Sequence, residues 1–129
     1  MSDEAYRRYV LINLPHSRTI LARLGRTLEA LGAFDDSGNG GNLELHSAYD
    51  AVEAAVREFD EDPPMEVALQ AADAVATRGR ALVAAILATR CRSDRLGQWV
   101  RNLFECLGLA EEGARLSLEC GETPDSFLR

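Results

Sequence analysis

The chain has 129 residues, 47% of them hydrophobic and 27% charged, and a net charge of −7, a balance typical of one globular domain and too apolar for a disordered chain. The acidity argues against a general nucleic-acid or membrane-surface binder. No apolar run approaches the roughly 20 residues that span a bilayer, and the acidic start at Ser2, Asp3 and Glu4 is unlike a basic secretory signal. We therefore expect a cytoplasmic protein with no membrane partner, with export by a route that leaves no cleavable signal as the alternative. We expect one domain covering residues 1–129.

The first element is predicted to be a helix that begins near Ser2 and ends at Pro15, which interrupts helices. Residues 9–14 are rich in strand-forming side chains and would also suit a strand. A lone strand would lack a pairing partner in this chain, so we favour the helix. A second helix is predicted to close at Gly32, where a left-handed residue fits. Its apolar stripe recurs every three or four residues and consists of Ile20, Leu21, Leu24, Leu28 and Leu31.

Residues 35–42 form a polar loop that we expect to be weakly ordered. Its first half resembles the opening of an EF-hand calcium loop, which places oxygen ligands at positions one, three and five and a glycine at position six. Position twelve, however, is a histidine instead of the bidentate glutamate that holds the cation. The resemblance therefore implies a weak ion site, with a plain polar connector as the alternative. The candidate metal ligands are Asp35, Ser37, Asn39 and His46.

A third helical stripe runs from Leu45 to Phe59 and leads to an acidic corner and a pair of prolines. The strongest pattern in the sequence begins there. Apolar residues recur every three or four positions over residues 64–90, which predicts one long central helix. Gly79 lies on its apolar stripe, where glycine costs about 1 kcal/mol relative to alanine. The glycine therefore indicates a close helix crossing or a bend.

A further helix is predicted to begin after Ser93, which suits an N-cap, and to end at Gly108. Its apolar face is wide, so we expect part of that face to form a homodimer interface. The interface residues would be Trp99, Leu103 and Phe104. The weaker pattern over residues 109–129 is predicted to pack on the bundle. Together these elements predict an all-α fold, a single-domain bundle or orthogonal array of five to six helices.

The positive charge is concentrated in the middle of the chain. All fourteen cationic side chains are arginines, and residues 63–102 carry six of them against three acids, a net charge of +3. Each guanidinium can make a planar, bidentate contact. These arginines could pair with acids on the protein's own surface, but we favour a patch for a protein partner. The predicted partner-binding residues are Arg78, Arg80, Arg90, Arg92, Arg95 and Arg101.

The helix after Ser93 also invites comparison with the second helix of a helix-turn-helix. In that position it would present polar side chains to bases and phosphates: Arg95, Gln98, Arg101 and Asn102. Two observations oppose this hypothesis. Leu96 and Trp99 must face inward, and the net negative charge opposes binding to a polyanion. Nucleic-acid binding by residues 93–107 is therefore an alternative and not the leading prediction.

The sequence contains no arrangement typical of a catalytic centre or cofactor site. The three cysteines, Cys91, Cys106 and Cys120, have no CxxC spacing, which favours free thiols in a reducing compartment over a zinc site. A Gly-x-Ser-x-Gly elbow and a phosphate-binding loop are also absent from the sequence. We therefore predict that the protein is not an enzyme and needs no cofactor.

Three functional hypotheses follow. The leading one is a small acidic interaction module of bacterial or phage type, such as an inhibitor, immunity protein, anti-activator or secretion chaperone, which binds a protein partner. The second is a helical sensor that responds to a ligand or metal ion through residues 35–46. The third is a DNA-binding regulator that uses residues 93–107.

Overall fold

The computed structural model describes residues 5, 8, 9, 12–34, 42–57 and 64–123, and from residue 16 onward this part of the chain forms five helices. They are α1 (His16–Ala30), α2 (Asn42–Arg57), α3 (Met65–Ala88), α4 (Asp94–Cys106) and α5 (Ala110–Glu119). The described residues include no strand. The predicted all-α fold is therefore confirmed. Among the described helices, none combines the length and apolar character that a bilayer crossing requires.

The described residues ahead of Pro15 favour the predicted helix over a strand. Those with helical backbone are Ala5, Arg8, Tyr9, Ile12 and Asn13, while residues 10 and 11 lie outside the described part of the chain. The Asn13 side chain donates a hydrogen bond to the Tyr9 carbonyl, four residues earlier, at 2.8 Å. The Tyr9 hydroxyl donates to the backbone carbonyl of Glu105 at 2.6 Å. This segment is therefore attached to the last turn of α4.

Helix α1 begins directly after Pro15 and ends near Gly32, whose φ is 73°. The amide of Ala33 donates to the Leu28 carbonyl at 2.9 Å and so closes the last turn, as expected for a left-handed C-terminal glycine. Three residues of the predicted stripe, Leu21, Leu24 and Leu28, are buried. Ile20 is partly buried, and Leu31, which follows the last residue of α1, is 38% exposed.

The five helices form two neighbouring pairs. Helix α2 packs along α3, α4 packs along α5, and α1 contacts both α2 and α4 and so connects the pairs. The long helix predicted over residues 64–90 is α3, whose 24 residues span about 36 Å. Gly79 of α3 lies opposite the Phe104 ring of α4, but a Cβ added there would lie 3.6 Å from that ring, an ordinary contact distance, so the glycine does not mark a close helix crossing.

The contact between α4 and α5 is closer than side chains normally allow. A Cβ on Gly97 of α4 would lie 2.5 Å from the Ser117 carbonyl oxygen and 2.8 Å from the Glu122 amide nitrogen. Ser93 caps α4 by accepting a hydrogen bond from the Leu96 amide at 3.0 Å. The chain after α5 then returns to the start of α4, where the Thr123 amide donates to the Asp94 carboxylate at 3.0 Å.

A buried ion pair joins α4 to the same returning segment. The Glu122 side chain has no exposed surface and accepts hydrogen bonds from Nε and from a terminal nitrogen of Arg101 at 2.8–3.1 Å. Arg101 also contacts the Glu105 carboxylate, one turn later in α4, at 3.3 Å. Hydrogen bonding to Glu122 is the largest influence on the Arg101 guanidinium and raises its pKa. Helix α5 and residues 121–123 therefore pack against α4, whereas residues 124–129 lie outside the described part of the chain.

Gly97→Ala is expected to lower the free energy of unfolding by about 1–3 kcal/mol, because the added methyl group meets backbone atoms that cannot rotate away. Gly79→Ala is the matched control. Its methyl group would make ordinary contact with the Phe104 ring, so the better helix propensity of alanine should stabilise the protein by roughly 0.5–1 kcal/mol. Urea denaturation followed by circular dichroism measures both changes, and equal effects of the two substitutions would contradict this packing.

Glu122→Ala is expected to lower the free energy of unfolding by about 2–4 kcal/mol, because it leaves the largely buried Arg101 guanidinium without its main acceptor. Glu112→Ala provides the comparison. Glu112 pairs with Arg80 through two hydrogen bonds of 2.6 and 2.9 Å, but the Arg80 side chain is 48% exposed. Loss of this solvated pair should cost less than about 1 kcal/mol. Urea denaturation followed by circular dichroism measures both changes. A smaller loss of unfolding free energy for Glu122→Ala than for Glu112→Ala would contradict the stabilising role of the Arg101–Glu122 pair.

Candidate functional site

A groove between α1 and α4 is lined by three arginines and the only tryptophan of the chain. Its volume is about 310 Å³. We call it the arginine groove. Helix α1 contributes three residues and α4 contributes two: Arg23, Arg26, Thr27, Arg95 and Trp99.

Helical spacing brings these side chains together. The two arginines of α1 are three residues apart, and Arg95 and Trp99 of α4 are four residues apart, so each pair shares one helix surface. Their neighbours Leu24 and Leu96 have no exposed surface and belong to the apolar core. Packing of α1 against α4 therefore leaves the arginines at the edge of the contact, where they face the groove.

Arg23 lies over the indole ring of Trp99. Its guanidinium carbon is 5.3 Å from the ring centroid, a cation–π geometry that contributes about 0.5–1 kcal/mol at a partly exposed site. The Arg23 side chain makes no hydrogen bond among the described residues, and its guanidinium carries several N–H donors. Arg23 is therefore held in place while its hydrogen-bond donors remain available to an acceptor.

The three groove arginines have no acidic partner among the residues that the structure describes. Arg26 and Arg95 make no side-chain hydrogen bond or ion pair there, and Arg23 makes only the contact with Trp99. The groove lining contains no carboxylate. The groove is thus locally positive, although the whole chain carries a charge of −7.

Most of the arginines predicted to bind a partner contact the protein's own residues. Arg78 donates to the Ala51 carbonyl at 3.1 Å and so connects α3 to α2. Arg80 pairs with Glu112, and Arg101 with Glu122, as described above. These three side chains lie on different surfaces and do not form one patch with the groove.

Arg92 is a capping residue. Its guanidinium donates to four backbone carbonyls at 2.7–3.4 Å: Ile86, Leu87, Thr89 and Cys91. Carbonyls at the end of a helix lack partners within the helix, so this side chain stabilises the end of α3. Arg90 is exposed. Of the six predicted arginines, Arg95 is the one that lines the groove.

The predicted homodimer interface requires a correction. Leu103 is 2% exposed and Phe104 has no exposed surface, because both lie in the core of the single chain. They cannot contact a second copy without unfolding. Only Trp99 of the predicted trio retains exposed surface, and it lines the arginine groove.

The predicted ion site is only partly described, since Asp35, Ser37 and Asn39 lie outside the described residues. His46 is exposed on the first turns of α2. Its ring stacks on Phe34 at 4.6 Å between centroids, and its Nε2 lies 3.3 Å from the Phe34 carbonyl oxygen. Within the described ranges, no three His, Cys, Asp or Glu side chains are grouped to hold a metal ion.

Two of the four side chains predicted to read DNA are engaged within the chain. Gln98 donates to the Asp94 carboxylate at 2.7 Å, and Arg101 is bound to Glu122. The surface of α4 that carries Gly97 is covered by the segment that follows α5. Helix α4 therefore lacks the free polar face that a recognition helix presents to the major groove.

The three cysteines are free, and two are buried. Burial is the main cause that raises the pKa of the Cys106 thiol and of the Cys120 thiol, each to about 11. At neutral pH both therefore remain protonated, and only a thiolate is an effective nucleophile. Cys91 is half-buried, and its sulfur lies 3.7 Å from the Leu31 carbonyl oxygen.

Comparisons with protein-family models, curated proteins and solved structures found no match to this chain. The geometry and charge of the arginine groove are therefore the basis for a proposed function.

Arg23 and Arg26 were absent from the set of predicted partner-binding residues. Their sequence segment is acidic overall, so a count of charge by segment does not single them out. A weaker signal was present, because two arginines three residues apart on the polar side of a leucine stripe share one helix surface. That signal does not reveal that α1 packs against the helix that carries Arg95 and Trp99.

One thiol per chain is expected to react rapidly with an aromatic disulfide reagent near pH 8, because Cys91 alone is partly exposed. Burial raises the pKa of the Cys106 and Cys120 thiols to about 11 and so keeps both protonated at this pH. Absorbance of the released thiolate counts the reactive groups. Cys91→Ser should abolish the rapid phase, and unfolding in guanidinium should expose the remaining two thiols. A second rapid thiol in the native protein would contradict the described burial.

Proposed function

We propose that the protein is a non-catalytic interaction module that binds a partner protein through the arginine groove. The observation that supports this proposal is the set of three arginines without an acidic partner in the described chain, grouped around a partly exposed tryptophan. Arginine and tryptophan are among the residue types that contribute most to protein–protein binding. Inhibitors, immunity proteins, anti-activators and secretion chaperones are proteins of this kind.

Other arginines of the chain have structural roles, which distinguishes them from the groove arginines. Arg92 caps α3, Arg101 holds the segment after α5, and Arg80 connects α3 to α5. The groove arginines have no comparable hydrogen bonds among the described residues. Three like charges placed close together repel one another, so their grouping is a cost that a bound anionic partner would offset.

The competing hypotheses have less support. An enzyme would need a nucleophile or an acid–base pair, and the high pKa of the Cys106 and Cys120 thiols makes both poor nucleophiles at neutral pH. A DNA-binding role would require Arg101 and Gln98 to leave their present partners. An ion-responsive sensor would have to use His46, whose ring is stacked on Phe34.

The proposal includes a cytoplasmic location, which the three free thiols support because a reducing compartment keeps cysteines unpaired. Homodimerisation is the alternative way to cover the groove, and it would use Trp99 without Leu103 or Phe104.

Affinity capture from cells that naturally produce the protein tests the proposal. The tagged wild type should enrich a partner, and the double variant Arg26→Ser/Arg95→Ser should retain at least about tenfold less of it, because two binding residues of at least about 1 kcal/mol each are lost. Both side chains lie at the surface, so the helical circular dichroism should be unchanged.

Arg115→Ser is the matched control, since Arg115 is a 65% exposed arginine on α5 that makes only a 4.0 Å contact with Glu119. It should capture as much partner as the wild type. Equal capture by all three proteins, or no protein enriched by the wild type, would contradict the proposal. Light scattering of the purified protein identifies self-association as the cause if the enriched species is the chain itself.

A further inference from the structure

We infer that the arginine groove takes a short acidic segment of its partner protein, in which two or three carboxylates lie within a few residues of one another. This inference rests on the proposed function and names the chemistry that the groove recognises. It is carried by the local charge, the spacing of the arginines and the orientation of Arg23.

The local charge selects an anion. Three guanidinium groups line about 310 Å³ and no carboxylate accompanies them. Repulsion between like charges that line one groove raises the energy of the unbound state, whereas an anion placed between the arginines is attracted to each of them. Arginine also suits carboxylates in particular, because two parallel N–H groups match the two carboxylate oxygens.

The spacing suits a peptide. Arg23 and Arg26 are three residues apart in α1, a rise of about 4.5 Å along the helix axis, and Arg95 faces them from α4. In an extended peptide, side chains two residues apart lie on the same face and about 6.4–6.8 Å apart. The flexible arginine side chains can span the difference. Two acids at alternate positions of an extended segment can therefore each reach a different arginine.

The charge of the whole molecule favours a short ligand over a long polyanion. Outside the groove the protein is acidic, and its net charge is −7. Electrostatic interactions extend about 10 Å at 0.1 M salt. A short acidic segment interacts mainly with the groove, whereas a long polyanion would also interact with the rest of the molecule, whose net charge is negative. Nucleic acid is therefore the disfavoured occupant.

Arg23 is oriented for this contact. Its guanidinium carbon lies 5.3 Å from the centre of the Trp99 ring, and the side chain makes no hydrogen bond among the described residues, so its N–H donors remain available. Because the side chain is already held, less conformational entropy is lost when a carboxylate binds. The exposed part of Trp99 offers an apolar contact to the stem of the bound acidic side chain.

The chain's only tryptophan lies in the groove, so its fluorescence reports on binding there. An acetylated hexaglutamate peptide is the probe and hexaglutamine its neutral control. Titration at about 20 mM salt should give a saturable fluorescence change with hexaglutamate only, and affinity should fall at about 150 mM salt as screening increases.

Arg26→Gln and Arg95→Gln should each weaken binding roughly three- to tenfold. Arg115→Gln, on another surface, should leave the affinity unchanged.

Four results would overturn the inference: no binding of hexaglutamate, equal binding to Arg26→Gln and Arg95→Gln, tighter binding of inorganic phosphate, or tighter binding of an oligothymidylate. The phosphate result would indicate a phosphoryl ligand, and the oligothymidylate result would indicate nucleic acid. If capture of the partner depends on Arg26 and Arg95 while hexaglutamate fails to bind, this inference is wrong and the proposed function stands. If capture is independent of the groove, the proposed function is wrong as well.

Discussion

The contact between Gly97 and the backbone that follows α5 determines how α4 is oriented in the molecule. Ser117 and Glu122 approach so closely that only a hydrogen atom fits between the backbones, and the buried pair of Arg101 and Glu122 holds them there. Residues two positions apart in a helix point about 200° away from each other. Because Gly97 faces the end of α5, Arg95 and Trp99 point to the opposite side of α4, toward α1. The arginine groove therefore depends on packing on the far side of the helix.

The arginines illustrate how one residue type serves different ends in one small protein. At Arg92 the guanidinium satisfies carbonyls at a helix end, and at Arg101 it is the counter-ion of a buried acid. At Arg23 it makes a cation–π contact with an aromatic ring. A lysine could replace the charge at each position but not the planar set of donors. Local surroundings, and not the arginine content, distinguish a structural arginine from one available to a ligand.

The sequence predicted the fold well, because periodic apolar stripes and end signals are local properties. Gly32 and Gly108 end their helices with φ of 73° and 75°, and Ser93 caps α4. The prediction was wrong where the role of a residue depends on which helices pack against each other. A wide apolar stripe looks the same whether neighbouring helices or a second subunit cover it, so Leu103 and Phe104 were assigned to an interface although they are core residues. Arg23 and Arg26 were missed for the same reason, since their relation to Trp99 exists only after α1 packs on α4.

The two attachments to α4 described above have a consequence for unfolding. Tyr9 is bonded at Glu105 and Thr123 at Asp94, two points eleven residues apart along α4, or about 16 Å. Each end of this helix thus holds a segment from a distant part of the chain. Unfolding of α4 would therefore remove an anchor from the segment before α1 and from the segment after α5 at the same time.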